Sequence, residues 1–378
     1  MSLATGEGRI WGMTSAERLR RIFQRAGLRA IERDALDDAT GSEGVVLARA
    51  DWIYDESLIR ALAQRPGAVL AGSGGVAAAA HVRADQAQAA AAALQRGEDP
   101  AASVAGLIRL DPGELAYNEA LRKREAPILE PFGPARAGRA EARRVEAHLF
   151  KGSYKGVTDL VTKHLWPKPA QVVTRWCALA GVAPNTVTFV GLLLVIAAFA
   201  LFWTGHFGWG LACGWVMTFL DTVDGKLARV TLTSSPIGNI FDHGIDLVHP
   251  LFWWWAWAEG LGAWGLALSH DGFVFVMGAM VAGYVVQRLI EGIFIRRFKM
   301  HIHVWERFDS RFRLITARRN PNMMILFFAT LFGQPHVGII LVAWWTILSC
   351  VVHGVRLIQA EIAHARGRPI ASWLDEPA

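Results

Sequence analysis

The chain has 378 residues, of which 53% are hydrophobic, and its formal net charge is +6. This length is enough for two domains. The apolar residues concentrate from residue 183 onward, so we expect a soluble N-terminal domain followed by a membrane domain. The three cysteines are widely spaced and form no CxxC pair, which argues against a disulfide framework or a zinc site.

The charge balance also bears on partners. No nucleic-acid-binding module is evident in the sequence, and a basic chain with apolar spans favours anionic lipids and phosphate-bearing substrates as partners. The opening segment, MSLATGEGRIWG, has no basic stretch followed by an apolar one. We therefore expect no cleaved signal peptide and place the N-terminal domain in the cytosol.

Residues 1–145 are charged and rich in alanine, and their patterns alternate between helix and strand. The first element, SAERLRRIFQRAG (15–27), is typical of an amphipathic helix that ends at a glycine. The other predicted elements, in chain order, are a buried strand leading to a loop over 44–55, a helix over 57–64, strands over 67–72 and 75–84, a helix over 85–97, and a helix over 112–125. This alternation predicts a small α/β domain.

Residues 146–182 form a junction before the first apolar segment. Apolar and basic side chains interleave in it, namely Val157, Leu160, Val161 and Leu165 with Lys155, Lys163, Lys168 and Arg175. A basic amphipathic stretch in this position favours an interfacial helix on the cytoplasmic surface of the membrane. The alternative is an ordinary linker helix of the soluble domain.

The membrane domain is predicted over residues 183–360, followed by a cytoplasmic tail over 361–378. It contains six apolar segments, at 184–203, 207–224, 236–258, 272–295, 321–333 and 336–358. A membrane-spanning helix needs roughly 20 residues, so we expect the short fifth segment to extend into the residues before Asn320. The sequence therefore predicts six transmembrane helices.

Basic residues fall on one side of these six segments. The loops TGHFGWG, EGLGAWGLALSHDG and FGQPH contain no Lys or Arg, whereas the opposite loops contain Lys226, Arg229, Arg296, Arg297, Lys299, Arg307, Arg311, Arg313, Arg318, Arg319, Arg356, Arg366 and Arg368. The positive-inside rule makes the basic side cytoplasmic and puts both termini there, as in a multi-pass protein of the inner membrane. Tryptophans are frequent in this half, and we interpret them as an aromatic belt at the membrane interfaces: Trp253, Trp254, Trp255, Trp257, Trp344 and Trp345.

Four aspartates lie at the cytoplasmic end of the second and third segments. Asp221 and Asp224 are three residues apart, and Asp242 and Asp246 are four apart, so each pair shares one face of its helix. The turn TLTSSPIG reverses the chain between them. Four carboxylates directed at one point would repel each other, and divalent cations would remove that conflict. Oxygen ligands beside a phosphate substrate favour Mg²⁺ or Mn²⁺, and a carboxylate-bridged pair of ions suits phosphoryl transfer.

Small and basic residues accompany these aspartates. Gly225 and Gly238 permit close approach of a ligand or a neighbouring helix, Ala228 is small, and Arg229 can pair with a diphosphate. The full pattern, D-x2-D-G-x2-A-R-x8-G-x3-D-x3-D, resembles the signature of the CDP-alcohol phosphatidyltransferase family. APNTVT at 183–188, with Asn185 and Thr188, is similar to that family's segment at the head of its first span.

The resemblance implies six transmembrane helices, a homodimer and an active site at the cytoplasmic membrane boundary. It implies that Asp221, Asp224 and Asp242 bind two divalent ions, and that Asp246 is the general base and also touches metal. It further implies that the CDP group of the donor contacts Asp221, Thr222, Gly225, Ala228, Arg229, Gly238, Asn185 and Thr188.

The reaction that the resemblance implies transfers a substituted phosphate from a CDP-alcohol to an acceptor hydroxyl and releases CMP. We expect CDP-diacylglycerol as the donor, in phospholipid synthesis of the phosphatidylinositol phosphate synthase type. A soluble CDP-polyol donor with a lipid or polyol-phosphate acceptor is the alternative.

The acceptor is less marked in the sequence. Arg318 and Arg319 stand at the cytoplasmic mouth of the fifth segment, where they could clamp an anionic acceptor, although positive-inside topology alone also explains them. We expect His243 and His249 to serve in polar packing. Lys155 and Asp159 precede the membrane at a distance that allows contact with substrate.

The N-terminal domain resembles the sugar-phosphate nucleotidyltransferases, and the strand that begins VVLARADWIYDESLIRAL would then end on a metal-binding aspartate, Asp51. The glycine-rich nucleotide loop of that family has no good counterpart here, since GEGR at 6–9 matches it poorly. We therefore expect a degenerate, non-catalytic domain with a role in stability, dimer contacts or regulation.

Two other functional classes are weighed against the transferase. An ion-coupled transporter would place its carboxylates near the membrane midplane and on several helices, whereas here they cluster at one boundary. A catalytically dead scaffold is disfavoured because all four aspartates are present.

Overall fold

The computed structural model describes residues 9–30, 44–72, 74–132 and 138–375. The side chains of Ile237, Asn239, Asp242 and His243 lie outside this description, so the predictions for Asp242 and His243 cannot be compared with it. The chain forms two compact units. The first comprises Met1–Asn118, Arg124–Tyr154 and Arg229–Leu232, and the second comprises Glu119–Lys123, Lys155–Ala228 and Thr233–Ala378.

The first unit is an α/β domain, as predicted. Its strands are β1 (Val45–Ala48), β2 (Trp52–Tyr54), β3 (Ala68–Ala71), β4 (Ala77–Val82), β5 (Ile108–Leu110), β6 (Tyr117–Asn118), β7 (Lys123–Arg124) and β8 (Leu129–Pro131). A four-stranded sheet has the order β1-β4-β3-β5, in which only the β3–β5 pair is parallel. β2 pairs with β8 in an antiparallel ribbon.

The helices of this unit are α1 (Ser15–Arg25), α2 (Glu56–Ala63), α3 (Ala87–Arg96) and α4 (Arg139–Gly152). Alanine is a poor strand former, yet Ala77–Val82 is a fully buried strand. Small side chains let the alanine-rich helix α3 pack closely on one part of the sheet, while α2 buries Leu58, Ile59 and Leu62 in a separate core cluster.

The sequence predictions need two corrections in this unit. The single strand and following loop expected over 44–55 are two strands, because residues 49–51 turn the chain and Arg49 holds Asp51 through two ion-paired contacts of 3.0 and 2.7 Å. The helix expected over 112–125 is one 3₁₀ turn, Pro112–Leu115. Glu125 N donates to Ala116 O at 2.9 Å, which closes a hairpin and prevents a continuous helix.

The second unit is helical. Its elements are a π-helical turn at Val161–Leu165, then α5 (Pro167–Leu179), α6 (Pro184–Trp203), α7 (Phe207–Val230), α8 (Pro236–Gly260), α9 (His270–Phe298), α10 (Arg307–Phe312), α11 (Arg319–Leu331) and α12 (Pro335–Ala365). The six predicted apolar segments correspond to α6–α9, α11 and α12. Of the described helices, α6, α9 and α12 are long and apolar enough to cross a membrane.

Cap residues explain where these helices begin. Pro184, Pro236 and Pro335 occupy first-turn positions, where the missing amide costs nothing. The Ser235 hydroxyl accepts a hydrogen bond from Gly238 N at 3.0 Å, which caps α8. The fifth segment extends before Asn320 as expected, but only by one residue: α11 begins at Arg319, because Arg318 has an extended backbone.

The junction is helical but interrupted. α5 carries large exposed apolar side chains, including Val172, Trp176 and Leu179, next to basic Lys168 and Arg175. This amphipathic pattern agrees with the prediction, although a π-helical turn and Trp166 separate α5 from the segment before it.

The aromatic-belt interpretation is wrong for three of the named tryptophans. Trp253, Trp254 and Trp257 are at most 4% exposed and belong to the main core cluster of this unit. Trp253 donates to Val195 O at 3.0 Å and Trp257 to Pro335 O at 3.1 Å, so their indole nitrogens are satisfied inside the helix packing. Trp255 and Trp344 are exposed, as a belt requires.

Candidate functional site: a carboxylate cluster beside an arginine cavity

Three of the four predicted aspartates come together. Asp221, Asp224 and Asp246 line one small cavity of about 10 Å³ between α6, α7 and α8. We call these three residues the carboxylate cluster. The helical spacing explains the arrangement, since residues three apart on α7 share a face and α8 runs back beside it. Asp242 lies one helical turn before Asp246 on α8.

Thr188 holds Asp224 in place. Its hydroxyl donates to Asp224 Oδ2 at 2.6 Å, so this predicted CDP-binding residue is a direct neighbour of the cluster. Asp224 is only 4% exposed, and its other oxygen, Oδ1, is buried without a hydrogen-bond partner among the described residues. A buried carboxylate oxygen in this condition is costly and suits a cation as its partner.

Arg319 bridges the other two carboxylates. Its Nη2 donates to Asp221 Oδ2 at 2.5 Å, and its Nη1 donates to Asp246 Oδ1. Among the described residues, no group of three His, Cys, Asp or Glu side chains forms a ready metal-ligand set. The predicted acceptor-binding Arg319 is thus a counter-ion of the carboxylate cluster.

The remaining motif residues lie on the same helices. Thr222 is buried and its hydroxyl donates to Thr218 O at 3.3 Å, so it faces the helix packing. Gly225 and Ala228 are half-buried on α7. Arg229 is in the last turn of α7, within a segment that clusters with the first unit.

Gly238 on α8 lies close to the side chain of Asn185 on α6. A Cβ at this position would lie 2.7 Å from Asn185 Oδ1, far inside van der Waals contact. The motif glycine of α8 therefore contacts the predicted CDP-binding asparagine of α6. Any larger residue at Gly238 would displace Asn185.

A second, larger cavity adjoins the carboxylate cluster. It has a volume of about 500 Å³, within the range of small-molecule sites. We call it the arginine cavity. Its charged lining residues, among those described, are Arg122, Lys155, Asp159, Asp246, Arg288, Glu291, Arg313, Arg318 and Arg319. Six of these are cationic and three anionic, so the lining carries a formal surplus of positive charge.

Glu291 contacts two arginines and one histidine of the cavity lining. It accepts from Arg318, lies 3.3 Å from Arg288 Nη1, and meets His303 Nε2 at 3.2 Å. Burial lowers the pKa of His303 well below its usual value, which favours the neutral ring. The predicted acceptor-binding Arg318 therefore lines the cavity while it is held by Glu291.

The charges of Asp159 and Glu291 act on Arg313, but among the described residues it forms no close ion pair of this kind. It is 9% exposed, and its Nε and Nη1 are buried without hydrogen bonds among the described residues. Burial and the nearby Arg318 charge lower the pKa of Arg313 to about 9. A buried guanidinium in this condition favours an anionic ligand.

Lys155 and Asp159, named from the sequence, both line the arginine cavity. Asp159 Oδ1 accepts from Asn320 Nδ2 and from Thr162 N, each at 3.0 Å. Burial raises the pKa of Asp159, but the Arg313 charge and these hydrogen bonds outweigh it and leave that pKa below its usual value. Asp159 therefore remains charged and anchors the start of α11.

Other lining residues were missed. Nothing in the local sequence marks Arg122, which lies far from the motif, and Arg288 and Glu291 stand inside an apolar segment. A charged pair in such a segment is itself a signal of function. His249, expected in polar packing, contacts Ile245 O through Nδ1 at 2.7 Å and packs against Trp253, which agrees with that expectation.

Comparison with known proteins identifies part of the chain. The family model for CDP-alcohol phosphatidyltransferase matches residues 181–317, which include the whole aspartate motif. The match begins after the first unit's main segments, and the nucleotidyltransferase resemblance of that unit receives no support from it.

Two kinds of curated relative are similar to this chain. Cholinephosphotransferase 1 of Xenopus laevis is 33% identical over 150 residues, which cover 35% of this chain and 34% of that protein. Cholinephosphotransferase 1 of Gallus gallus is 32% identical over 133 residues, covering 32% of this chain and 37% of that protein. Phosphatidylinositol phosphate synthase of Mycobacteroides abscessus is 29% identical over 139 residues, covering 35% of this chain and 61% of that protein.

The chain thus spans about a third of the length of the first of these relatives. The region matched by the family model contains the motif and the helices that position it, and three of the described helices are long and apolar enough to cross a membrane. Residues 181–317 of this membrane protein match the family model for CDP-alcohol phosphatidyltransferase.

Proposed function

We propose that this protein transfers a substituted phosphate from a CDP-alcohol to a hydroxyl group of a small anionic acceptor and releases CMP, in phospholipid synthesis. The observation that carries the proposal is the arginine cavity, which shares Asp246 with the carboxylate cluster. The family match supplies the reaction class. The cavity supplies the class of acceptor, because its surplus positive charge complements a phosphate-bearing polyol.

Two divalent ions, Mg²⁺ or Mn²⁺, fit the carboxylate cluster. The donor set consists of carboxylate oxygens, which these ions prefer, and Asp224 Oδ1 is buried without a hydrogen-bond partner in the part of the chain that the structure describes. Asp221, Asp224 and Asp246, with Asp242 added from the motif spacing, would hold the ions. When bound, they would offset the negative charge of the donor diphosphate.

Asp246 is the proposed general base. Among the described residues, its side chain is the acidic group that lines both cavities, so a hydroxyl in the arginine cavity can meet a diphosphate at the cluster. Asp246 accepts the hydroxyl proton, and the acceptor oxygen forms a bond to the β-phosphorus. The bond from that phosphorus to the bridging oxygen breaks, and CMP leaves with the electron pair.

Arg319 has to release Asp246 before this proton transfer, because its Nη1 occupies Asp246 Oδ1. An anion in the arginine cavity offers Arg319 another partner. We infer that acceptor binding draws Arg319 toward the cavity. Gly225, Ala228, Arg229, Gly238, Thr222, Asn185 and Thr188 are the proposed contacts of the CDP group.

The charge of the cavity also separates the two kinds of relative. A choline group is a cation, which this lining would repel. A phosphorylated polyol, the kind of group named in the phosphatidylinositol phosphate synthase, fits it. CDP-diacylglycerol is accordingly the proposed donor, and the phosphate on the acceptor is the proposed specificity group.

The proposed arrangement in the membrane follows the predictions above. All of α6–α9, α11 and α12 would span the inner membrane, with both termini cytoplasmic and with α5 lying on the cytoplasmic surface. The protein would act as a homodimer in contact with membrane lipids, and the first unit would be non-catalytic. Labelling of single cysteines introduced at Ser269 and Arg368 tests the topology, since a membrane-impermeant reagent on whole cells should reach only the first.

Release of CMP tests the reaction. Purified protein in nanodiscs would receive CDP-diacylglycerol, Mg²⁺ or Mn²⁺, and in turn inositol phosphate, glycerol phosphate, inositol or serine. We expect CMP release with a phosphorylated polyol and none with Asp246→Asn. Absence of release with every acceptor, or equal rates with inositol and inositol phosphate, would contradict the proposal.

A further inference from the structure

A short segment of the N-terminal half belongs to the second compact unit. Glu119–Lys123 clusters with this unit, although the chain on both sides, up to Asn118 and from Arg124, clusters with the first. The segment connects the short strands β6 and β7. It lies well before residue 181, where the family match begins.

Backbone contacts seat this segment firmly. Gly156 N donates to Leu121 O at 2.9 Å, and a Cβ at Gly156 would lie 2.6 Å from Arg122 O. His301 N donates to Glu119 Oε1 at 3.3 Å. Arg122 has a left-handed backbone with φ of 48°, which is uncommon for a residue with a side chain and gives the segment its tight turn.

The seated segment brings Arg122 to the arginine cavity, where Arg122 and Ala120 form part of the lining. Arg122 Nε is buried without a hydrogen-bond partner among the described residues. Burial and repulsion from the Arg318 charge lower the pKa of Arg122, and together they outweigh the attraction of Glu291 and Glu119. A further anion in the cavity would therefore stabilise the charged form of Arg122.

Three other arginines of the cavity already form ion pairs with carboxylates. Arg319 pairs with the carboxylate cluster, and Arg318 and Arg288 share Glu291. Among the described residues, Arg122 Nε and Arg313 Nε and Nη1 are buried without a hydrogen bond, and neither guanidinium forms an ion pair with a carboxylate as Arg288, Arg318 and Arg319 do. Two forked donors in one cavity suit a dianionic phosphate, which accepts several hydrogen bonds at once.

We propose that Arg122 binds the phosphate group of the acceptor, so that a segment outside the family domain determines acceptor specificity. This inference rests on the proposed function. It gives the N-terminal half a direct part in substrate recognition, whether or not its α/β fold has any chemistry of its own. Arg122 is a specificity residue and does not take part in bond making.

Steady-state kinetics of full-length Arg122→Ala test this assignment. A charge-assisted hydrogen bond contributes about 1.5–3 kcal/mol, so we expect the KM for inositol phosphate to rise roughly tenfold or more. The KM for CDP-diacylglycerol should stay unchanged. Arg124→Ala, an exposed arginine two residues on, is the matched control and should behave as the wild type. Arg122→Lys keeps the charge without the fork and should fall between the two.

Competition by inorganic phosphate provides a second readout. In the wild type it should inhibit CMP release competitively with the acceptor, and in Arg122→Ala this inhibition should weaken by a similar factor. Arg122→Gln replaces the alanine variant if the latter does not elute as a monodisperse protein, since Gln retains the side-chain volume and loses the charge.

The two proposals fail in different ways. A wild type that releases no CMP with any acceptor contradicts the proposed function. An active wild type combined with unchanged acceptor KM and unchanged phosphate inhibition in the folded Arg122 variants leaves the function standing and overturns the role of Arg122.

Discussion

The carboxylate cluster and the arginine cavity meet at Asp246 and Arg319, but the chain builds them differently. The cluster comes from one stretch, 221–246, on two consecutive helices. The cavity draws residues from segments as far apart as Arg122 and Asn322. One region carries surplus negative charge and the other surplus positive charge, so the first suits cations with a diphosphate and the second an anionic acceptor. Chemistry and specificity are thus separated along the sequence and joined in space.

Removal of divalent cations should have the largest effect, because the ions proposed at the carboxylate cluster offset the charge of the donor diphosphate. This treatment does not change the arginine cavity. After treatment with EDTA we expect CMP release to fall to background and to return with Mg²⁺ or Mn²⁺. Oxygen ligands without thiolate or imidazole favour these ions. Full activity of protein that elemental analysis shows to be free of metal would remove the ions from the proposal.

Asp246→Asn tests the residue that the two regions share. Loss of a general base typically lowers the rate by about 10²–10⁴-fold, and we expect kcat to fall within that range while CDP-diacylglycerol still binds. Asp271→Asn is the control, since Asp271 is an exposed acid in the first turn of α9. A kcat within twofold of the wild type for Asp246→Asn would assign the base elsewhere.

Arg313→Ala changes the cavity alone. Since its buried guanidinium lacks hydrogen bonds among the described residues, we expect its loss to raise the acceptor KM by roughly tenfold and to spare the donor KM. Arg311→Ala, an exposed neighbour, should leave both constants unchanged. An equal rise in donor and acceptor KM for Arg313→Ala would mean that the two regions are not separable.

The contrast between the regions also explains what could be predicted from the sequence. Helical spacing sets the geometry of the motif, so Asp221, Asp224 and Asp246 were found to line one cavity. The first apolar segment was likewise predicted with the bounds of α6. Arg122 could not be found in this way. Residues 112–125 have the composition of a helix, and only the long-range seating of Leu121 and Glu119 shows that they turn instead.

Two further features of the second unit could not be predicted from the sequence. Trp253 and Trp257 were read as an interfacial belt because composition does not show which face of α8 meets α6. The exact start of α11 at Arg319 could not be predicted either, because Arg318, just before it, pairs with Glu291, 27 residues away in the chain. Each of these depends on a contact between distant segments, and local patterns carry no information about it.

The smallest expected effect concerns pH and again separates the two regions. The pKa of Arg313 is lowered to about 9, chiefly by burial, so the folded protein loses this charge as pH rises above 9, while the guanidinium of an unfolded chain stays protonated. Binding of an anionic acceptor needs the charged form. We therefore expect the acceptor KM to be constant below pH 8 and to rise about fourfold by pH 9.5, with the donor KM unchanged. In Arg313→Ala the group that titrates is gone, so the acceptor KM should be higher but flat over the same range. A wild-type profile that is also flat to pH 9.5 would show that Arg313 keeps its proton, and hence that the cavity holds its positive charge more firmly than burial alone implies.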